Sequence, residues 1–503
     1  MFSAYRSYPA IGRLLPARRK RTALIHRAVL RLYSLGAAAN WMGYVFRPVI
    51  GESAYIVLLC AILTVCYAGT LFVLINKRGV LSLMTLFWIC LGCFAIARPI
   101  LFLLGAKDFT NDQFSIMGHF AWENATSVSV LNAYFTFMLI FSFVSTSDTQ
   151  SSRNAWRFRP QRFPPNPIRP LKNLLYAAEM VTGPILAVYY FAQALTVLKL
   201  GYTKIYNGEV TSALGLGSFI SISRLIFTLS YYAICCEEKS EKTFIRSSIL
   251  YLAVNAIPLL QGSRAVFIID LLTVLFLRYR FFGKTIPARR VLLGFVIAIP
   301  LLQSISYLRS GSGVTVHSLG QSYTDFFSEL STSFNIPAYY IQHKAALSGN
   351  AYPYILEPIV KVFQYFLHPV SYSSGQNMEM IQVRFNLGHQ ITYHISPGYY
   401  LAGSNVASNF IAEMSEFGYG GVLFFSILIS ALIRLVETKI IHRNPYFRFM
   451  SFEFCKWIMF LPRAEAFYDS YNLLKYGIGY IAIYTIGNIY CSRRLVKGGR
   501  KPD

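Results

Sequence analysis

The chain has 503 residues and a formal net charge of +25, because 47 Lys and Arg outnumber 22 Asp and Glu. Only 14% of the residues are charged, whereas 54% are hydrophobic and 16% are aromatic. Soluble chains are about 25% charged, so this composition excludes a water-soluble particle of this size; the aromatic content excludes a disordered chain. A basic excess with so few charges is typical of a polytopic membrane protein with Lys and Arg in its cytoplasmic loops. We therefore expect membrane lipids, and no nucleic acid, around the protein.

Twelve stretches are predicted to be membrane-spanning helices, since a span needs roughly 20 largely apolar residues. In chain order they are 28–46, 54–75, 80–104, 127–146, 173–196, 217–236, 244–260, 264–282, 290–307, 418–437, 447–463 and 471–490. The first is interrupted by Arg31. The eleventh carries Glu453 and Lys456, and an interfacial helix is the alternative interpretation there. The expected fold class is an all-α polytopic membrane protein.

The distribution of charge predicts the orientation of these spans through the positive-inside rule. The segment 147–172 holds six Lys and Arg against one acid and is assigned to the cytoplasm. Twelve crossings then place both termini inside. The basic N-terminus 1–27, which lacks the apolar stretch of a signal peptide, and the basic tail 491–503 agree with that assignment.

The longest predicted outer segment is 308–417, between the first nine spans (28–307) and the last three (418–490). It contains four Lys and Arg against six acids and five of the eight histidines. The runs Tyr323–Leu347 and Ile355–Phe366 have the pattern of amphipathic helices. We predict a large, partly helical loop that caps the outer face.

No cofactor is expected from the sequence, which has neither a Walker loop nor a dinucleotide fingerprint. All eight cysteines fall in spans or at their cytoplasmic ends, so a disulfide framework is not supported. Cys90-Leu-Gly-Cys93 has metal-like spacing but lies within an apolar span. Two small membrane-embedded residues are the better interpretation of that pair.

Four arginines are predicted at the outer ends of spans or in the outer loops: Arg264, Arg309, Arg384 and Arg463. The guanidinium fork forms bidentate, charge-assisted bonds to phosphate oxygens, so a group of arginines there suits a lipid-linked pyrophosphate. The alternative is that each arginine reaches to lipid headgroups or pairs with a nearby acid. Because the positive-inside rule makes outer arginines less expected, their number favours the functional interpretation.

Candidate proton acceptors lie in the same outer segment. His389 and His394 can exchange protons near neutral pH, while their spacing is not that of a zinc-binding pair, so no metal is expected. Glu413 and Glu416 precede the point where the chain re-enters the membrane. A carboxylate there can activate an attacking hydroxyl or neutralise one of the arginines.

Three short motifs resemble those of the O-antigen (oligosaccharide repeat-unit) polymerase family, the Wzy type. They are Gly-Ser-Arg264 at an outer turn, the acidic-then-Phe-Gly segment Asn405–Gly421, and Leu461-Pro-Arg463 before the last span. The resemblance covers about 250–490 best. Two acids, Glu413 and Glu416, compete for the single acidic position of the family, so the catalytic carboxylate stays open between them.

This resemblance implies a metal-independent, GT-C-like membrane glycosyltransferase at the periplasmic face of the bacterial inner membrane. Its substrates would be oligosaccharides linked to undecaprenyl pyrophosphate, and a chain-length regulator protein is a candidate partner. Arg264 and Arg309, with Arg384 or Arg463, would hold the donor pyrophosphate. Glu413, Glu416 or a loop histidine, His389 or His394, would accept the proton of the acceptor hydroxyl.

Two alternatives remain at this point. An O-antigen ligase shares the chemistry and differs only in the acceptor. A transporter or flippase for a polyprenyl-linked sugar would place functional charges at mid-membrane and show repeated, broken spans. The notable arginines lie at outer ends and no internal repeat is visible, which favours a transferase.

Overall fold

The computed structural model describes most of the chain. The described ranges are 11–106, 111–114, 118–147, 168–200, 217–237, 240–262, 264–283, 286–309, 318–347, 352–367, 386–401, 408–438 and 444–497, with the single residues 376, 378, 381 and 406. Residues 148–167, which form most of the segment 147–172 whose Lys and Arg residues predict the orientation, lie outside them.

Helices make up nearly all of the described residues. The first half of the chain forms α1 (Ile11–Val45), α2 (Arg47–Ile50), α3 (Glu52–Arg78), α4 (Leu83–Leu91), α5 (Ala97–Leu103), α6 (Asn124–Thr146), α7 (Lys172–Leu200), α8 (Gly217–Glu237), α9 (Glu241–Ala256) and α10 (Arg264–Phe282). Two four-residue strands, β1 (Asn111–Phe114) and β2 (Gly118–Ala121), pair antiparallel as a hairpin between α5 and α6. This hairpin is the departure from the all-α expectation within the described ranges.

The second half continues with short helices in the predicted loop and long ones after it. They are α11 (Ala288–Arg309), α12 (Leu319–Leu330), α13 (Ile336–Leu347), α14 (Glu357–Leu367), α15 (Leu387–Ile395), α16 (Pro397–Leu401), α17 (Phe410–Ser415), α18 (Gly418–Thr438), α19 (Pro445–Phe460) and α20 (Ser470–Lys497). The amphipathic runs expected in the loop are helical, as α12–α13 and α14. The tight connections Ile257–Gln261, Ser331–Asn335 and Leu461–Arg463 are 3-10 turns.

Eight helices in the described ranges are long and apolar enough to cross a membrane. They are Glu52–Arg78, Leu83–Leu103, Asn124–Thr146, Arg169–Thr196, Gly217–Cys236, Glu241–Gln261, Ala288–Tyr307 and Gly418–Thr438. The other four predicted spans are helical too, within α1, α10, α19 and α20. Helix α10 is not among the eight and carries four charged side chains. Helix α19 is not among them either and has 16 residues. The chain is therefore a multi-pass membrane protein whose described residues are mainly helical.

A local break in one span is set by close helix packing. Gly92 begins a π-helical turn, Gly92–Ile96, between α4 and α5. A Cβ on Gly92 would overlap the phenol of Tyr67, so a larger residue here would force the Tyr67 side chain to move. The Tyr67 ring stacks on Trp88 at 5.5 Å, and the Trp88 indole donates to the carbonyl of Tyr67 at 3.0 Å. Such π-turns often occur at functional sites.

The loop segment before α18 is inserted among the helices. The rings of Phe410 and Phe137 meet edge-to-face at 4.8 Å, and Asn409 reaches the hydroxyl of Tyr134. Tyr134 lies ten residues after Asn124, about 15 Å along α6 at 1.5 Å per residue. Residues 409–410 therefore sit well below the first turns of α6.

The opposite end of the bundle is joined through one buried acid. Glu437 of α18 accepts hydrogen bonds from the guanidinium of Arg78 at 3.3 Å and from the amide of Leu83 at 3.1 Å. Arg280 of α10 donates to the carbonyl oxygen of Glu437 at 3.0 Å. These bonds hold α3, α4, α10 and α18 together at the end that the charge pattern assigns to the cytoplasm.

Candidate active site

The re-entry segment is organised by Asn409. Its side-chain oxygen caps α17 by accepting from the amide of Ile411 at 2.8 Å, which explains why the helix begins at Phe410. Its side-chain nitrogen donates to the Tyr134 hydroxyl at 2.7 Å and to the carbonyl of Ser333 at 2.8 Å, and lies 3.4 Å from the carbonyl of Pro462. One buried amide thus joins four parts of the chain.

Glu413 lies one turn further along and is fully buried, with 0% of its surface exposed. Its carboxylate accepts from the amide of Ala466 at 2.8 Å and from the hydroxyl of Ser408 at 3.4 Å. Burial, with smaller contributions from the nearby acids Glu465 and Glu357, raises the pKa of Glu413 well above its ordinary value. This carboxyl group links α17 to the turn before α20.

Glu416 lies at the edge of the same segment and is only partly buried. Its carboxylate accepts from the amide of Tyr354 at 2.8 Å, and Lys344 donates to its backbone carbonyl at 3.0 Å. Burial raises the pKa of Glu416, while the bond from Tyr354 and the charge of Lys344 act in the opposite direction. Of the two glutamates it is the one that solvent reaches.

Arg264 begins α10 and is 7% exposed. It forms an ion pair with Glu329 of α12 and donates to the side-chain oxygen of Gln303 at 2.7 Å. Gln303 in turn donates to the second Glu329 oxygen at 3.0 Å, so the three side chains form a closed network. The alternative interpretation, pairing with a nearby acid, therefore applies to Arg264, and the pair holds its guanidinium in a defined position beside the exposed Glu329.

Of the other three predicted arginines, Arg463 is the one whose side chain the structure describes. Arg463, at the end of the 3-10 turn after α19, donates to the carbonyl of Leu330 at 3.0 Å and lies 5.8 Å from the ring of Phe94. Arg309 is the last residue of α11, and its side chain lies outside the described part, as does all of Arg384. Arg264 and Arg463 are brought to the same element, since Glu329 and Leu330 are adjacent on α12.

The loop histidines separate into a buried one and an exposed one. His389 is buried after the start of α15 and meets Tyr400 edge-to-face at 5.5 Å. His394 is exposed, with its ring 5.4 Å from His343 and 6.2 Å from Tyr339. Burial, followed by the neighbouring His394, lowers the pKa of His343.

A second group of ionisable side chains lies inside the helix bundle, where the sequence analysis had assigned no site. Lys456 of α19 lies 2.8 Å from the carboxylate of Asp270 on α10 and donates to the hydroxyl of Tyr251 on α9 at 2.7 Å. Tyr232 of α8 donates to Glu453 of α19. We call this group, together with Asp469, Lys475 and Arg224, the bundle cluster.

The bundle cluster extends to the end of α20 nearest the loops. Its other charged members are Asp469, Lys475 and Arg224. Asp469 is buried, accepts from Asn472 at 2.7 Å and faces Glu453, and burial together with Glu453 raises the pKa of Asp469. Ionisable residues within spans are rare and are candidates for functional sites by default. This signal was present in the sequence of α8, α10 and α20.

The described residues contain no group of three His, Cys, Asp or Glu side chains placed to hold a metal ion. The chemistry that they do present is cationic and hydrogen-bonding. Guanidinium and ammonium groups bind phosphate oxygens, and carboxylates with shifted pKa values suit proton transfer.

A bundle of helices, eight of which in the described ranges are long and apolar enough to cross a membrane, defines a polytopic membrane protein. The model of the family described as O-antigen polysaccharide polymerase Wzy matches residues 38–494, nearly the whole chain, and the chain therefore belongs to that family. Its members are glycosyltransferase-type enzymes that act on lipid-linked oligosaccharide repeat units in membranes. No match was found among the curated proteins or among the solved structures.

Proposed function

We propose that the protein joins oligosaccharide repeat units carried on undecaprenyl pyrophosphate into O-antigen at the periplasmic face of the inner membrane. The growing glycan is transferred from its lipid carrier to a hydroxyl of a new lipid-linked repeat unit. The observation that carries this proposal is the match of residues 38–494 to the polymerase family.

The proposed topology has twelve spans with both termini in the cytoplasm. It is supported by the helices found at all twelve predicted positions. It is supported further by the distribution of Lys and Arg between the connecting segments. In this orientation α12–α17 and the outer ends of the spans face the periplasm.

The chemistry of the transfer requires stabilisation of the leaving pyrophosphate. Preorganised cations at the developing charge supply this without a metal, and we propose metal-independent catalysis. The proposed donor ligands are the predicted arginines Arg264, Arg309, Arg384 and Arg463. The role of Arg264 is supported by its hydrogen bond to Gln303, which fixes the guanidinium. An arriving phosphate would replace the exposed Glu329 as its partner.

The proposed proton acceptor is Glu416. It is partly exposed, whereas Glu413 is fully buried behind Ala466 and Ser408. We assign Glu413 a positioning role through the turn before α20. Among the histidines, the exposed His394 is better placed than the buried His389 to meet a substrate.

The inserted loop segment would limit the access of water, so that transfer is favoured over hydrolysis. This role is supported by the contacts of Asn409 and Phe410 with α6. A chain-length regulator is the proposed protein partner.

A transporter for a polyprenyl-linked sugar is the second candidate, because the bundle cluster places charges within spans. The position of those charges along their helices favours the transferase. Asp270 lies six residues after the start of α10 and Lys456 four residues before the end of α19. At 1.5 Å per residue both are within about 10 Å of the helix ends nearest the loops, away from the midplane that transport sites occupy.

Deletion of the gene and gel analysis of the surface polysaccharide test the function. We expect a ladder reduced to a single repeat unit. Full-length polymer that is not attached to its acceptor would instead show a ligase, and complete loss of surface glycan would show a flippase.

A further inference from the structure

Helix α14 (Glu357–Leu367) is amphipathic, and its apolar face is the exposed one. Ile359, Phe363 and Leu367 lie on this face, with Phe363 keeping 65% and Leu367 72% of its surface. At 3.6 residues per turn these three positions fall within about 80° of one another. Leu356, which immediately precedes the helix, is exposed as well. We call Leu356, Ile359, Phe363 and Leu367 the apolar stripe.

The opposite side of α14 faces the protein. Glu357 is fully buried there, and Pro358 is buried beside it. A helix on the surface of a water-soluble domain turns its apolar face to the core and its charged residues to the solvent. Helix α14 has the reverse arrangement, since it buries an acid and presents three apolar side chains outward. Such an orientation is favourable where the surroundings are apolar.

The start of α14 is fixed at the point where the chain enters the membrane. The amide of Tyr354, three residues before the helix, donates to the carboxylate of Glu416 at 2.8 Å. Glu416 lies two residues before α18, which is long and apolar enough to cross a membrane. Helix α14 has 11 residues. It is therefore only about 16 Å long at 1.5 Å per residue, and the apolar stripe lies close to the membrane surface at which α18 begins.

The apolar stripe adjoins surfaces of two spans that face lipid. Helix α14 packs against α20, on which Leu474 and Ile478 are exposed at helical spacing. On α18, Tyr419 and Leu423 are exposed in the first two turns. Because the chain is a multi-pass membrane protein, exposed apolar side chains on its spans contact lipid. The apolar stripe thus extends a surface that lipid already covers.

We infer that α14 is an interfacial helix whose apolar stripe inserts among the lipid acyl chains at the membrane surface where α18 and α20 begin. Helices of this kind lie in the plane of the interface and bury their apolar face about 5–10 Å deep. The partner is the bilayer itself. Through the bond between Tyr354 and Glu416, this anchor also fixes the depth of the Glu416 carboxylate relative to the membrane. Polymerase activity is not needed for the anchor, which goes beyond the proposed function.

Quenching of fluorescence by brominated lipid measures the insertion. The full-length protein is reconstituted at one copy per nanodisc, in phosphatidylcholine with or without bromine on the acyl chains near the headgroup. A fluorescent amino acid replaces Phe363 in one sample and Lys361, on another side of the same helix, in a second. Phe424, which is exposed on α18, is replaced in a third sample as the lipid-facing reference.

We expect bromine to reduce emission at least twofold at positions 363 and 424 and clearly less at position 361. Each labelled protein is first checked for a single size-exclusion peak. Emission at position 363 that bromine leaves unchanged, with position 424 quenched, would overturn the anchor. Iodide in the buffer then identifies the true surroundings, because it quenches a stripe in water and does not quench one covered by protein. Equal quenching at positions 361 and 363 would also overturn it, since no oriented face would exist.

A pair of substitutions on the apolar stripe provides a second test with the probe at position 363. Ile359→Asp with Leu367→Asp should remove most of the quenching, because carboxylates are costly among acyl chains. The matched control, Ile359→Leu with Leu367→Ile, keeps the stripe apolar and should be quenched as before. Full quenching in a folded double Asp variant would contradict insertion through these side chains.

The outcome is separable from that of the proposed function. If the deletion strain keeps a normal polysaccharide ladder, polymerase activity is refuted, while quenching at position 363 still supports the anchor. If the ladder collapses and position 363 is not quenched, the function stands and the anchor does not.

Discussion

The side-chain nitrogen of Asn409 lies 2.7 Å from the hydroxyl oxygen of Tyr134, and this bond joins the loop before α18 to the middle of α6. Both residues are fully buried. The Tyr134 ring also stacks on Phe334 at 4.7 Å, in the turn whose Ser333 carbonyl accepts from Asn409. The loop, the turn after α12 and the span are therefore connected through one amide.

Replacement of Asn409 by Ala should lower stability more than loss of a helix cap alone. Buried groups left without a partner cost about 1–3 kcal/mol each, and Tyr134 and the Ser333 carbonyl would both be affected. The control is Asn386→Ala, because Asn386 caps α15 through the amide of His389 at 2.9 Å. That change should cost about 1 kcal/mol. Thermal unfolding in detergent measures both; equal losses would contradict the joining role of Asn409.

Arg264 and Glu329 allow a phosphate-binding role to be separated from a structural one. Arg264→Ala should reduce polymer formation by about a hundredfold at unchanged protein level, as expected for loss of a cation at the leaving group. Glu329→Gln removes the charge that pairs with Arg264 and leaves one acceptor oxygen in place of two, so polymer should persist. A polysaccharide ladder lost equally in both variants would show that the ion pair serves folding only.

Glu416 and Glu413 should respond differently to removal of charge. Glu416→Gln should slow polymerisation by about 10²- to 10⁴-fold, the range for loss of general acid–base catalysis. Burial raises the pKa of Glu413 and favours its neutral form, so Glu413→Gln should retain activity. Repeat-unit incorporation by membrane vesicles measures both changes. An inactive, stably folded Glu413→Gln with an active Glu416→Gln would reverse the assignment.

His343 should make the protein less stable on mild acidification. Its pKa is lowered in the folded chain by burial and by His394. The pKa of a histidine in the unfolded chain is about 6.5. Below that pH the unfolded state binds the extra proton, so the free energy of unfolding falls as pH decreases. The unfolding temperature should drop less between pH 7.5 and 5.5 in His343→Phe, which keeps the stacking on Tyr339. Parallel pH profiles for the two proteins would contradict this.

Much of the architecture could be predicted because membrane helices follow from local composition. In a membrane, an apolar run of about 20 residues has to form its backbone hydrogen bonds within the run, and a helix does this. Hydropathy therefore located helices at all twelve positions. The helical loop runs 323–347 and 355–366 followed from their amphipathic period in the same way. The hairpin of β1 and β2 was missed, since two four-residue strands carry too few residues for a periodic signal.

The sequence offered candidate site residues for a related reason, and their roles stay predictions. Unusual residue types, such as an outer arginine or an acid before a glycine, are visible in a linear chain, and they pointed to Arg264, Arg463, Glu413 and Glu416. The pairing of Arg264 with Glu329 joins residues 65 positions apart, which no local pattern encodes.

Charge, hydropathy and short motifs thus established a multi-pass membrane protein and the family that it resembles, because those properties depend on neighbours along the chain. Tertiary packing decided which ionisable groups are neutralised and which are not. It buried Glu413, left Glu416 at an edge, and paired Arg264 with Glu329. The net charge of +25 could not reveal this, because the effect of a charge depends on the groups that folding brings around it.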